Sequence, residues 1–230
     1  MLRRFLRFLL GLALLPLACG VTLALLDALY AIPLRNGFPV SPEALSLFAG
    51  IVVFLAVWML LPSPARVYVL GHELTHALWG LAFGAKVSNL KVAADGGSVL
   101  LTKTNIWITL APYFFPFYTV LVVIAALVTR CFVSPLPHPC LWTFAVGVTW
   151  CFHVCFTFQS LLQHQPDIQE CGHVLSYVLI YTLNLAGVLL WIAATTELSF
   201  LVVLRFAAIR TGAAYSAVAA FSFAAMRRLL

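Results

Sequence analysis

The sequence predicts an all-α polytopic membrane protein of about six transmembrane helices, with a small β-hairpin-like insertion after the third of its apolar runs. Three observations carry this reading. Of 230 residues, 63% are hydrophobic and only 9% are charged, and the mean hydropathy is +1.06, which is more apolar surface than a soluble domain can bury. Apolar runs of spanning length recur at roughly 5–30, 44–61, 106–129, 141–163 and 172–195, each near the length a helix needs to cross a hydrocarbon core. The stretch 85–105 breaks the pattern, because it holds all three lysines, Lys86, Lys91 and Lys103. The net charge of +6 is spread thinly. That distribution suits membrane orientation and argues against nucleic-acid binding, which needs a clustered basic face.

In chain order, the run at 5–30 is too long for a signal-peptide core and lacks a small-residue cleavage site before a soluble domain, so it reads as a retained span. With the run at 44–61 it makes residues 1–63 a pair of accessory N-terminal transmembrane helices. A further apolar run, 65–83, is punctuated by Pro62 and Pro64 at its start and by Gly84 at its end, as a helix would be. It opens the segment 64–195, read as the core.

Within 85–105, Asp95-Gly96 precedes the β-prone run Ser98-Val99-Leu100-Leu101-Thr102. This is a hairpin signal, and it competes with an ordinary solvated loop. The hairpin reading places a strand pair beside the preceding helix, with an edge free to pair with an extended peptide. The runs at 106–129 and 141–163 flank the loop Ser134-Pro135-Leu136-Pro137-His138-Pro139. The tail, 196–230, is apolar but interrupted by Arg205 and Arg210; a final span and an interfacial amphipathic helix both fit it. No internal repeat is visible.

Six cysteines fall mostly in or beside apolar stretches, where cysteine behaves as a small hydrophobe. A Cys131–Cys140 bridge across the Pro-rich loop is the one disulfide the spacing offers, and nothing resembles a secreted disulfide scaffold.

Counting every run as a crossing, the helix at 65–83 points toward the same membrane face as the polar loop at 164–171. Arg3, Arg4, Arg7, Arg66 and Arg130, with Arg205, gather on the opposite face, against Arg35, Lys86, Lys91 and Lys103. The positive-inside rule makes the arginine-rich face cytoplasmic.

The chemistry is concentrated in His72-Glu73-Leu74-Thr75-His76. On a helix, positions i and i+4 share a face, so both imidazoles can grip one metal ion, while Glu73 reaches a bound water instead of the metal. An acidic side chain inside so apolar a chain is costly and marks function. A catalytic zinc site takes three protein ligands and keeps one open position. For the third ligand the chain offers Asp167, Glu170, His164, His153 and His173. Asp167 is preferred, since it follows Pro166 at a helix start, where a carboxylate is favoured; an N-cap without metal is its competing role. His164 and His173 flank that loop and could orient ligands. His153 shares a span with Cys151 and Cys155 but not their helix face, and it reads as a buried histidine bonded to a neighbouring helix or in polar contact with the metal site. In this scheme Glu73 takes a proton from water for attack on a peptide carbonyl and then passes it to the leaving amine.

With these residues in hand, the chain resembles the site-2 protease family of intramembrane zinc metalloproteases. His72 to Gly84, HELTHALWGLAFG, looks like that family's metal helix ending in glycine, and the Gly-Gly and β-prone stretch looks like its membrane-associated hairpin. The resemblance implies an aspartate ligand opening a later core helix, here Asp167 in QHQPDIQECG with Gly172 after it. The segment departs from the family's N-x-x-P…L-D-G pattern: no asparagine precedes the proline, and Pro-Asp-Ile replaces Leu-Asp-Gly. Gln163 and Gln165 are the residues that could take the asparagine's place. The resemblance covers roughly 64–195, is similar to PDZ-less bacterial members, and implies a multi-pass protein of the bacterial inner membrane. It also implies zinc as cofactor and a transmembrane protein or membrane peptide as substrate, with no nucleic-acid partner. Two other readings stand beside it: a metal or proton transporter using intramembrane His and Glu, and a non-catalytic membrane adaptor that keeps the fold.

Overall fold

The structure is a computed structural model that describes residues 1–32, 41–93 and 96–229. It is 79% helical with one small two-stranded sheet. In chain order the elements are α1 (Leu2–Ala31), α2 (Pro42–Leu60), α3 (Ala65–Ala82), β1 (Val87–Val92), β2 (Gly97–Leu101), α4 (Ile106–Phe114), α5 (Phe117–Phe132), α6 (Pro139–Leu161), α7 (Pro166–Cys171), α8 (His173–Thr195) and α9 (Phe200–Leu229).

Local chemistry sets the boundaries. Ser41 caps α2, its Oγ accepting from the Ala44 amide at 3.2 Å, and Pro42 takes the first helical position, where its missing N–H costs nothing. Asn105 does the same for α4, with Oδ1 accepting from Ile108 N at 2.9 Å. Helix α3 ends in a Schellman motif: Ala85 N donates to Gly80 O and Gly84 N to Leu81 O, both at 2.8 Å, with Gly84 at φ +72°. The left-handed backbone there is cheap only for glycine.

Of the two readings of 85–105, the strand pair is present. β1 and β2 are antiparallel, with Val87 opposite Leu101 and Val92 opposite Gly97, and the ladder is irregular between Ser88 and Lys91. Asn89 sits at φ +50° in that irregularity. Asp95 lies outside the described residues, as does Arg35.

The chain gathers into two compact units, Val40–Asp167 and Met1–Pro39 with Ile168–Leu230. The grouping therefore follows contact and not chain order. α1 and α2, expected as an accessory pair, fall in different units. α8, expected with the 64–195 core, packs with α1 and α9.

In the first unit α2 lies against α6, and the two run parallel. Ser46 Oγ donates to Cys140 O at 2.6 Å, and Phe54 meets Phe152 edge-on at 5.7 Å. Further along, Trp58 meets Phe156 at 4.7 Å. In the second unit α1 and α8 also run parallel: Gly11 abuts Leu175 and the Thr22 hydroxyl meets Tyr181 at 2.9 Å. α9 is antiparallel to α1, with Arg210 on Asp27 at 2.6 Å and the Tyr215 hydroxyl donating to Ala13 O at 2.8 Å. Val21, Ala24, Ala28, Leu189, Ile192 and Val203 form the core of this unit.

These directions correct the count of crossings, which made α2 and α6 antiparallel and likewise α1 and α8. Removing α3 from the crossings is enough to explain it, because one crossing fewer reverses every later helix; the second departure, a bend, leaves the count as it was. α3 is not among the helices long and apolar enough to cross a membrane, because His72, Glu73, Thr75, His76 and Arg66 dilute it. The single span expected at 106–129 is instead broken into α4 and α5, bent by 74°. Pro116 is the cause, since it cannot donate and disfavours helical backbone at Phe115. Five described helices, α1, α2, α6, α8 and α9, have the length and composition of spans, and the bent pair makes a sixth. The tail thus joins the candidates and α3 leaves them. Only 6% of the α9 window and 11% of the α2 window are buried inside the protein. Such outward-facing apolar helices are compatible with a multi-pass membrane protein. Among the described residues no disulfide is formed, and Cys131 and Cys140 are not bridged.

Candidate metal centre

Helix α3 presents His72 and His76 one turn apart, and α7 brings Asp167 to them from across the Val40–Asp167 unit. Among the described residues this is the one group of three whose donor atoms lie within 4.8 Å of one another. The two Nε2 atoms are 3.2 Å apart. Asp167 Oδ2 is 3.5 Å from His72 Nε2 and 3.4 Å from His76 Nε2. Donors held tetrahedrally at about 2.0–2.1 Å from one ion stand about 3.3 Å apart, so the three separations fit a single zinc-sized cation.

The ring orientations support the same fit. His76 Nδ1 is 2.9 Å from the Ile108 carbonyl. A carbonyl only accepts, so Nδ1 carries the hydrogen and the neutral ring turns its lone pair on Nε2 toward the other donors. His72 Nδ1 is 3.2 Å from the Tyr68 hydroxyl, which lies 2.6 Å from Ser160 Oγ. Tyr68 stacks on Phe156 at 4.5 Å and 7°, which ties the start of α3 to the end of α6. Outer partners of this kind fix the tautomer and tilt of metal-binding imidazoles.

Asp167 is the most open of the three, its side chain 23% accessible against 12% and 13% for the histidines. Burial on its own pushes the Asp167 carboxyl up. In the metal-free cluster, with imidazole Nε2–H groups turned to it, hydrogen bonds and charge from His72 and His76 outweigh burial and hold the carboxyl below the usual carboxylate range.

Glu73 is buried, 8% exposed, under the first residue of β2. A Cβ on Gly97 would lie 2.6 Å from Glu73 Cγ and 2.9 Å from Oε1. Further on, a Cβ on Gly80 would lie 2.9 Å from Leu101 Cδ2, so β2 runs along α3 in the same direction as the helix. The hairpin lies on the helix that carries the site.

None of the other candidates belongs to this group. His164 and His173 are exposed, and His173 has Tyr177 as its ring neighbour at 6.0 Å. Glu170 offers its backbone carbonyl to Arg7. His153 is buried on α6 and lines, with His72 and Thr75, a cavity of about 20 Å³, room for one water molecule. Cys151 and Cys155 face each other at 3.9 Å between sulfurs. Sequence reasoning missed Tyr68, Ser160, Tyr113 and the Ile108 carbonyl. Tyr68 was within reach, because it lies four residues before His72 on the same helix face; the others carry no local signal.

Searches against protein-family models, curated proteins and solved structures found no match to this chain.

Proposed function

We propose that the protein is an intramembrane zinc metalloprotease that hydrolyses peptide bonds of membrane-embedded substrates. The single observation that carries the reading is the convergence of His72, His76 and Asp167 at ligand spacing, next to a buried Glu73 that is free of a ligand role. Zinc bound by these three residues would supply a Lewis acid that acidifies water and polarises a carbonyl. Glu73, one position along from His72, accepts the proton of the attacking water and returns it to the leaving amine. The Ile108 carbonyl holds His76 in the tautomer that keeps Nε2 available, and Tyr68, when it accepts from His72 Nδ1 and donates to Ser160, does the same for His72. A transmembrane helix has its carbonyls engaged, so the substrate must unwind locally before a peptide bond is accessible. Pairing with an outer edge of the β1–β2 sheet would offset part of that cost.

The test is a pair of substitutions in purified protein. Glu73→Gln is expected to slow cleavage by about 10²- to 10⁴-fold and to leave zinc content unchanged. Asp167→Ala is expected to lower zinc occupancy. A Glu73→Gln variant that cleaves at the wild-type rate sinks the assignment. Zinc flux through proteoliposomes without cleavage of any membrane protein would establish the transporter instead, and neither flux nor cleavage would leave an adaptor.

A further inference from the structure

The phenol of Tyr113 has no part in the scheme above, yet it touches the cluster at the atom that matters. Tyr113 is fully buried, at 0% exposure. Its hydroxyl lies 3.0 Å from Asp167 Oδ2, and its ring stands edge-on to His72 at 5.3 Å and 89°. Oδ2 is the same oxygen that faces both imidazoles. An ionised carboxylate can only accept, so the phenol donates to it. Gln165 Oε1, at 3.5 Å from the same hydroxyl, is the more distant acceptor.

A carboxylate on the short helix α7 has two equivalent oxygens, a soft terminal torsion and a partly open side. Nothing in its own chemistry decides which oxygen faces the histidines. A buried donor at 3.0 Å does decide it.

We propose that Tyr113 is a positioning residue for the third metal ligand: its hydroxyl selects Asp167 Oδ2, holds the carboxylate in a one-oxygen mode and tunes its donor strength. This rests on the metal site proposed above. The bend after α4 makes the arrangement available, because Tyr113 lies in the last turn of α4, just before the break at Phe115–Pro116. The ring contact to His72 and the hydroxyl contact to Asp167 are separable, so removing the oxygen alone isolates the second.

The experiment uses the full chain in detergent, with zinc affinity read by chelator competition and the ligand field read from the visible spectrum of the cobalt(II)-substituted protein. Tyr113→Phe is expected to weaken zinc binding about 10-fold, at the lower end of what removing an outer partner of a ligand costs, and to shift the cobalt bands. Made on top of Asp167→Ala, the same substitution is expected to change nothing further. Unchanged affinity and spectrum overturn the proposal, and so does an equal loss in both backgrounds. If Tyr113→Phe does not fold, a fluorinated tyrosine at 113, a stronger donor of nearly the same shape, must shift the cobalt bands; no shift overturns the proposal. Wild-type protein that binds no zinc, or His72→Ala that binds it as tightly as wild type, removes the metal site itself. Zinc binding lost in His72→Ala but intact in Tyr113→Phe removes only the role given to Tyr113.

Discussion

Glu73 has little room to move, because the first residue of β2 sits on its side chain. Gly97 is glycine for that reason: an added methyl would meet Glu73 Cγ and Val69 Cγ1 at 2.6 Å each, closer than packed atoms tolerate. Gly97→Ala must therefore displace either the strand or the glutamate. A misplacement of about 1 Å in a reacting group costs roughly 10²-fold in rate, while the histidines and Asp167 keep their donors. The expected result in a cleavage assay is a loss of that order with zinc stoichiometry unchanged; full activity would mean that the strand gives way without moving Glu73. At this scale the sequence was informative about His72, Glu73 and His76, because their spacing has meaning on any helix. It singled out Asp167 from a set of five candidates only by its place at a helix start. Tyr113 was not legible, since a tyrosine in an apolar run looks the same whether or not its hydroxyl finds a carboxylate.

Between elements, the closest approach is α2 on α6. A Cβ on Gly50 would overlap the Phe144 carbonyl, and one on Gly147 would overlap the Leu47 carbonyl. Each glycine lets the opposing backbone come in, the small-residue packing that holds helices together when lipid removes the hydrophobic drive. Gly50→Ala and Gly147→Ala are each expected to cost about 1–3 kcal/mol through overpacking, measured as reduced thermal stability in detergent. Ala at Gly187 or Gly212, where a Cβ would meet nothing within 4 Å, is the matched control and is expected to leave stability unchanged. Local signals bounded α3 correctly, with Pro62 and Pro64 before it and Gly84 at its end; the cap that starts α2, Ser41-Pro42, was as legible in the sequence. The break between α4 and α5 was equally available in Pro112 and Pro116, but hydropathy averaged over 106–129 hides a bend, since both arms are apolar.

For the whole molecule, helix direction is the consequential result. α9 runs antiparallel to α1, so Arg227 and Arg228 at the end of α9 come to the same end of that unit as Arg3, Arg4 and Arg7 at the start of α1. If these helices cross a bilayer, the positive-inside rule makes that end cytoplasmic. Reporters fused before residue 1 and after residue 230 are then both expected to report the cytoplasm, whereas seven crossings would put them on opposite sides.

Composition and periodicity by themselves determined that the chain is helical and apolar enough for a membrane, that the stretch after α3 departs from that pattern, and that two imidazoles share one helix face. Those properties are local, fixed by side chains a few residues apart. Only the tertiary structure decided which helices run together, that the strand pair forms along α3, and that Asp167 and Tyr113 arrive at the histidines from far along the chain. Bringing together groups 91 residues apart in sequence, as His76 and Asp167 are, depends on how helices pack and turn, and no window along the chain contains that information.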